Sequence, residues 1–185
     1  MVLPIALWLT RVPSLAGRDT ARLYAPIRTL VVEALRDWRL PLWNPYEGTG
    51  KPLLAEGLHG VLHPLSVLAA WVAPGGTDLL VVGYLLAAAA GTVLLARALG
   101  RSAGAAALAA AAYALSGYVT SMASNLVFLA GAATLPWLVV AVRGCARPGP
   151  GPLVAAAAAV AAALFAGDAQ TASLGLLLGA ALAFA

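Results

Sequence analysis

The sequence predicts an all-α fold: a polytopic transmembrane helical bundle in which an external amphipathic helix and loop follow the first helix. Three observations carry that prediction. The composition is 62% hydrophobic against 10% charged, with a mean hydropathy of +0.91, which is far from the balance of a water-soluble domain. Of the 11 basic and 7 acidic side chains, all but Asp78, Arg97, Arg101, Arg143, Arg147 and Asp168 lie between Arg11 and Glu56. Uncharged runs at 79–96, 102–142, 148–167 and 169–185 separate those six, and a bilayer core requires about 20 apolar residues per helix.

Residues 1–16 read as a truncated first transmembrane helix, because Met1–Thr10 is apolar but only about half as long as a span. A secretory signal would place a basic residue before that stretch, whereas Arg11 follows it. Residues 17–76 read as an external loop holding an interfacial helix and a re-entrant or interfacial segment. Leu23, Ile27, Leu30, Val31, Leu35 and Trp38 recur at the spacing of one helical face, as in a helix lying among lipid headgroups, with Pro26 starting or kinking it. Residues 40–53 hold three prolines and two glycines and read as an irregular loop. Residues 60–73 form a short apolar stretch interrupted by Pro64.

Residues 77–185 read as five transmembrane helices, the last one cut short. Thr77 or Asp78 is the expected cap of the first of them. Ser121-Met122-Ala123-Ser124-Asn125 breaks the long run into a hairpin. Alanine runs at 105–112 and 155–163 permit close helix packing, with compositional bias as the plain alternative.

The net charge of +4 and pI near 9.7 do not point to nucleic acid, since the arginines sort by membrane side. Arg97 and Arg101 sit in one short loop, Arg143 and Arg147 in another, and such loops face the cytoplasm. Crossing parity then brings residues 18–76, the 121–125 break and the Gly167-Asp168-Ala169-Gln170 turn to the opposite, external side. Cys145, the single cysteine, excludes an intrachain disulfide.

Asp19 is the first candidate for chemistry. A carboxylate directly after a transmembrane helix sits at the membrane boundary, where it can act as a base, hold a divalent metal, or simply cap the next helix. Asp168, with Gln170, fits helix capping better than catalysis. Glu56, His59 and His63 fall at i, i+3 and i+7, a spacing that can hold a metal, although Pro64 disturbs the helix and a fourth ligand is missing. Trp43 and Tyr46 suit an aromatic belt or a sugar-stacking platform.

Gly17-Arg18-Asp19 with Tyr24-Ala25-Pro26, then Leu40-Pro41-Leu42-Trp43-Asn44-Pro45-Tyr46 with Gly50-Lys51-Pro52, then His63-Pro64-Leu65, resemble the start of the YfhO-type bacterial membrane proteins, relatives of the GT-C glycosyltransferases. Ser116-Gly117-Tyr118, Asn125, Leu135-Pro136-Trp137 and Gly167-Asp168-Ala169-Gln170 resemble that family's later stretches. The resemblance implies a multi-pass protein of the bacterial cytoplasmic membrane that transfers a sugar from a polyprenyl-phosphate donor to an external acceptor. It implies Asp19 as the catalytic position, with or without a divalent metal, and a chain much longer than this one. The substrate-binding candidates are then Arg18, Arg22, Tyr24, Trp43, Asn44, Lys51, His59, His63, Asp168 and Gln170. Two other classes fit the external charges: a transporter or flippase of a lipid-linked substrate, and a non-catalytic membrane assembly subunit. The spans after Asp78 carry charge only at their ends, which favours interfacial chemistry over passage through the bilayer.

Overall fold

The computed structural model describes residues 20–57, 59–72 and 76–184. The helix expected over residues 1–16, and Arg18 and Asp19 after it, lie outside the described residues.

A π-helical turn, Thr20–Tyr24, leads into α1 (Ala25–Arg36). Pro26 stands in the first turn of α1, where its missing N–H costs nothing, so it starts the regular helix. The buried face is Ile27, Arg28, Val31, Val32 and Ala34, whereas Leu23 and Trp38 of the expected stripe are exposed. The difference has two causes. Ile27 and Val31 pack on Leu53 and Val61 of the following loop, so protein covers this side. The helix also closes before Trp38, which adopts φ 56° while the Arg39 N–H reaches back to the Ala34 carbonyl at 2.8 Å.

The loop over 40–53 is more regular than its prolines suggest. Strands β1 (Trp43–Asn44) and β2 (Lys51–Pro52) pair antiparallel, with Trp43 opposite Pro52 and Asn44 opposite Lys51. A two-stranded ladder has an open side, which is where a proline without an N–H is tolerated. The turn is closed by the Gly50 N–H on the Glu47 carbonyl, and Gly50, at φ 99°, leaves room for the Trp43 ring that a Cβ would meet at 2.5 Å. Pro64 opens α2 (Pro64–Val72) rather than interrupting it.

Five longer helices and one short one follow: α3 (Thr77–Ala98), α4 (Ala103–Ala114), α5 (Gly117–Ser121), α6 (Leu126–Gly144), α7 (Pro150–Phe165) and α8 (Ala169–Phe184). Neither Thr77 nor Asp78 caps α3; Gly76 holds that position and both lie within the first turn. Ser102 and Ser116 cap α4 and α5 through the Ala105 and Val119 amides, so the hairpin break begins at Ser116, earlier than expected, and runs through a 3₁₀ turn to Asn125. Of the two alanine runs, that of α4 packs along one face through Ala106, Ala110 and Ala114, while α7 buries only Ala163. Among the described residues three segments are long and apolar enough to cross a membrane: α3, Ala103–Ser124 and α6. The α7 and α8 helices, also apolar, have 16 residues each, or about 24 Å against a core of about 30 Å.

Helix α6 is the centre. Ala87 and Gly91 of α3 meet Trp137 and Pro136, and His63 bonds both Tyr84 and Thr134, so α3 and α6 run parallel. Gly131 meets Asp168, Gly175 meets Leu138 and Gly179 meets Val142, so α8 runs parallel to α6 as well. The starts of α3, α6 and α8 therefore share one end.

Pro136 lies inside α6 and removes the amide that would have bonded the Ala132 carbonyl. The Tyr113 hydroxyl of α4 donates to that carbonyl at 2.9 Å, which restores the lost bond from a neighbouring helix. Tyr113→Phe is expected to lower stability in detergent by about 1 kcal/mol. Tyr118→Phe, at an exposed ring, serves as the control in the same thermal melt, and an equal loss in both would refute the pairing.

Candidate functional site

The segment from Thr20 to Val72 is fastened to the end where α3, α6 and α8 begin. Thr20, fully buried, donates its hydroxyl to the Ala123 carbonyl at 3.0 Å, and the Tyr24 hydroxyl donates to Asn125 Oδ1 at 2.7 Å. Gly60, at φ 57°, lies against the Ala166 carbonyl at the end of α7, with an added Cβ falling 3.4 Å from it. The three stretches that crossing parity groups together, the long N-terminal segment, the 121–125 turn and the turn before α8, are thus in contact.

At this end a directed chain of hydrogen bonds runs through buried groups. Thr134 Oγ1 donates to the Ala130 carbonyl at 2.7 Å, so it receives a proton from His63 Nε2 at 3.1 Å. With its proton on Nε2, His63 accepts at Nδ1 from the Leu65 amide at 3.2 Å and from the Tyr84 hydroxyl at 3.3 Å. Tyr84 then accepts from Ser66 at 3.0 Å. Burial pulls the His63 pKa from its ordinary 6.5 to about 4, and a second ring proton would point at two donors. His63 is neutral here, a structural pin between α2, α3 and α6. Sequence reasoning named His63 but missed Ser66, Tyr84 and Thr134; isolated hydroxyls inside the apolar runs were the available signal.

His63 therefore does not join Glu56 and His59. His59 Nε2 meets Glu56 Oε2 at 3.1 Å and its ring stands edge-on to Tyr24, with centroids 6.3 Å apart. Among the described residues no group of three His, Cys, Asp or Glu side chains could hold a metal ion. Lys51 pairs with Glu47 and lies 3.8 Å from Glu56, and the Glu47 hydrogen bond holds its ammonium above the ordinary pKa. Arg28 is buried beside Tyr24, His59, Ser66 and Tyr84 around a cavity of about 30 Å³, large enough to hold water. Burial lowers its guanidinium pKa and the nearby Tyr84 raises it.

Asp168 caps α8. Its Oδ1 accepts from the Thr171 amide at 3.0 Å, its other oxygen from the Thr171 hydroxyl, and the side chain is buried against Gly131. Gly167, at φ 87°, ends the preceding turn. Gln170 is exposed in the first turn of α8. The pairing of Asp19 with Asp168 falls outside the described residues, and Arg22 is described only as part of the π-helical turn.

Two larger spaces flank this end. A cavity of about 540 Å³ opens between α1 and the hairpin, where Glu33, Asn44, Tyr46 and Glu47 meet Leu23 and Leu30. An apolar groove of about 510 Å³ runs between α3, α6 and α7, bordered by Ala87, Trp137 and Ala158, with His63 and Thr134 its polar members. Trp43 is exposed, its ring lying over Gly50.

Comparison of the chain with protein-family models, with curated proteins and with solved structures finds no match. Fold and site define a mostly helical protein whose described residues include three helices long and apolar enough to cross a membrane, compatible with a lipid bilayer as its surroundings.

Proposed function

We propose that the chain belongs to a multi-pass GT-C-like glycosyltransferase of the bacterial cytoplasmic membrane, similar to the YfhO-type proteins. In this reading residues 17–76 lie outside the membrane and the helices after Thr77 form a polytopic bundle. The observation that supports it most is convergence. Tyr24, Asn125, His63-Pro64-Leu65 and Gly167-Asp168, which carry the resemblance in separate parts of the sequence, pack at one end of the helices. Asp19 precedes Thr20, and Thr20 is fastened to Ala123 at that end.

The donor is a sugar on a polyprenyl phosphate. Its prenyl chain fits the apolar groove between α3, α6 and α7, leaving the phosphate at the polar end. An acceptor hydroxyl attacks the anomeric carbon; the new C–O bond forms as the bond to the phosphate oxygen breaks, and that oxygen keeps the electron pair. Asp19 takes the proton of the attacking hydroxyl, or would hold a divalent metal, which would supply Lewis acidity toward that hydroxyl. The departing polyprenyl phosphate, a monoester, leaves without protonation, so neutralisation by Arg18 and Arg22 of the charge it gains is the other requirement. Lys51, engaged by Glu47 and Glu56, is a weaker contributor than the sequence suggests.

The test measures transfer of radiolabelled sugar out of a polyprenyl-phosphate donor in membranes carrying the protein. Asp19→Asn is expected to reduce transfer by about 100-fold or more. Equal rates in the two proteins would remove Asp19 from the reaction.

A further inference from the structure

We infer that the cavity between α1 and the β1–β2 hairpin is a saccharide-binding subsite, recognising a neutral pyranose through Asn44, Glu33, Glu47 and Tyr46. Its designation as the acceptor's site rests on the transferase reading above; the binding itself does not. At about 540 Å³ the space is that of a small-molecule site.

Its lining combines two chemistries. Leu23 of the π-helical turn and Pro26 and Leu30 of α1 give apolar surface, and Tyr46, 82% exposed at the hairpin turn, presents an aromatic face. The same space is lined by the Glu33 carboxylate of α1 and, from the hairpin, by the Asn44 amide and the Glu47 carboxylate, which Lys51 also engages. A pyranose has the matching division, with C–H faces that stack on aromatic and aliphatic surfaces and an equator of hydroxyls.

Asn44 decides between occupants. It is 5% exposed, its Oδ1 accepts from the Tyr46 amide at 3.0 Å, and its side-chain NH₂ has no partner among the described residues. That nitrogen is not sealed from the cavity, so an occupant that displaces its water is favoured if it accepts a hydrogen bond there. Glu33 and Glu47 only accept when ionised, so the same occupant must also donate. A hydroxyl does both. An organic cation would suit the carboxylates yet leave the amide unpaired, and a lipid chain would desolvate all three polar groups.

The test is saturation-transfer NMR on the purified protein in a polyoxyethylene detergent, which has neither a sugar nor a quaternary ammonium head. The probes are methyl glucopyranoside, methyl N-acetylglucosaminide, maltose and tetramethylammonium. Transfer to pyranose ring protons is expected, with affinity at least tenfold weaker in Asn44→Asp, which keeps the Oδ acceptor of the turn, and in Tyr46→Ala, at an exposed position. Absence of transfer to all three sugars, wild-type affinity in both variants, or binding of tetramethylammonium alone would overturn the inference. Asp19→Asn separates the two proposals. If it transfers sugar normally while Asn44→Asp weakens pyranose binding, the catalytic reading falls and the subsite stands. If it abolishes transfer while no pyranose binds, the subsite falls and the catalytic reading stands.

Discussion

Gly91→Ala is expected to lower the thermal midpoint in detergent by about 5–10 °C, and Gly91→Leu by more. A Cβ at Gly91 would lie 2.6 Å from the Trp137 ring and 2.9 Å from Pro136 Cγ. Neither atom yields cheaply. The Trp137 indole N–H donates to the Ala87 carbonyl at 2.8 Å, so swinging the ring away breaks that bond. The Pro136 ring is closed onto the backbone of α6 and moves only with it. Relief therefore requires α3 and α6 to separate, which opens the packing of Leu80, Val81, Tyr84 and Leu85 against Leu126, Leu129 and Ala133. Overpacking of this kind costs about 1–3 kcal/mol for one methyl and more for a larger side chain. In lipid the loss is not offset by water expulsion, because helices there associate through close contact at small residues. Gly83, on the same helix, has no neighbouring atom within 4 Å of an added Cβ. Gly83→Ala is accordingly expected to be neutral or to stabilise by up to about 1 kcal/mol through helix propensity. The same loss in Gly83→Ala and Gly91→Ala would refute close packing of α3 on α6.

Much of the helical framework was legible because charge in this chain is so unevenly placed. Arg97 and Arg101 flank the turn between α3 and α4, Arg143 stands in the last turn of α6 and Arg147 just after it, and Asp168 with Gly167 marks the start of α8. Such residues are costly within an apolar helix, so their positions delimit the runs between them. The segment before α2 was harder to read because tertiary contacts set its faces. Arg28 is a charged residue between Ile27 and Thr29 in sequence, yet Tyr84, fifty-six positions later, and Ser66 form its surroundings, and α1 turns to bury it. Helical spacing puts Leu23 and Trp38 on the same lipid-facing stripe as Ile27 and Val31; the structure divides that stripe, because Leu53 and Val61 cover Ile27 and Val31 while Leu23 and Trp38 stay exposed. The i, i+3, i+7 spacing of Glu56, His59 and His63 presumed a helix through residues where α2 begins only at Pro64. Without that helix, His59 and His63 separate, one to Glu56 and the other into the hydroxyl chain. The candidate site was legible to the extent that parity grouped its parts, while the partners of His63 lie on α2, α3 and α6 and follow from their packing.

Acidification is expected to weaken the fold through His63 by about 2 kcal/mol at pH 5 and about 3 kcal/mol at pH 4, relative to pH 7.5. The imidazole is 4% exposed and its pKa falls from 6.5 to about 4 through burial. Above pH 6.5 it is neutral in folded and unfolded chains alike and contributes no pH dependence. Between about 4 and 6.5 the unfolded chain binds a proton that the folded chain excludes, so unfolding becomes easier as pH falls. Protonation at Nδ1 would also set an N–H against the Leu65 amide and the Tyr84 hydroxyl, both of which donate there. The chain of bonds from Ser66 to Ala130 would break in its middle, loosening α2 from α3 and α6. Since carboxylates titrate in the same range, the informative quantity is the difference between wild type and His63→Gln, which keeps a side-chain N–H but no titrating ring. Melting curves across pH 4–7.5 should show the wild type losing more stability than His63→Gln, by the amounts above, with the gap opening below pH 6.5. Parallel pH profiles would mean that His63 is not the buried neutral pin between these helices.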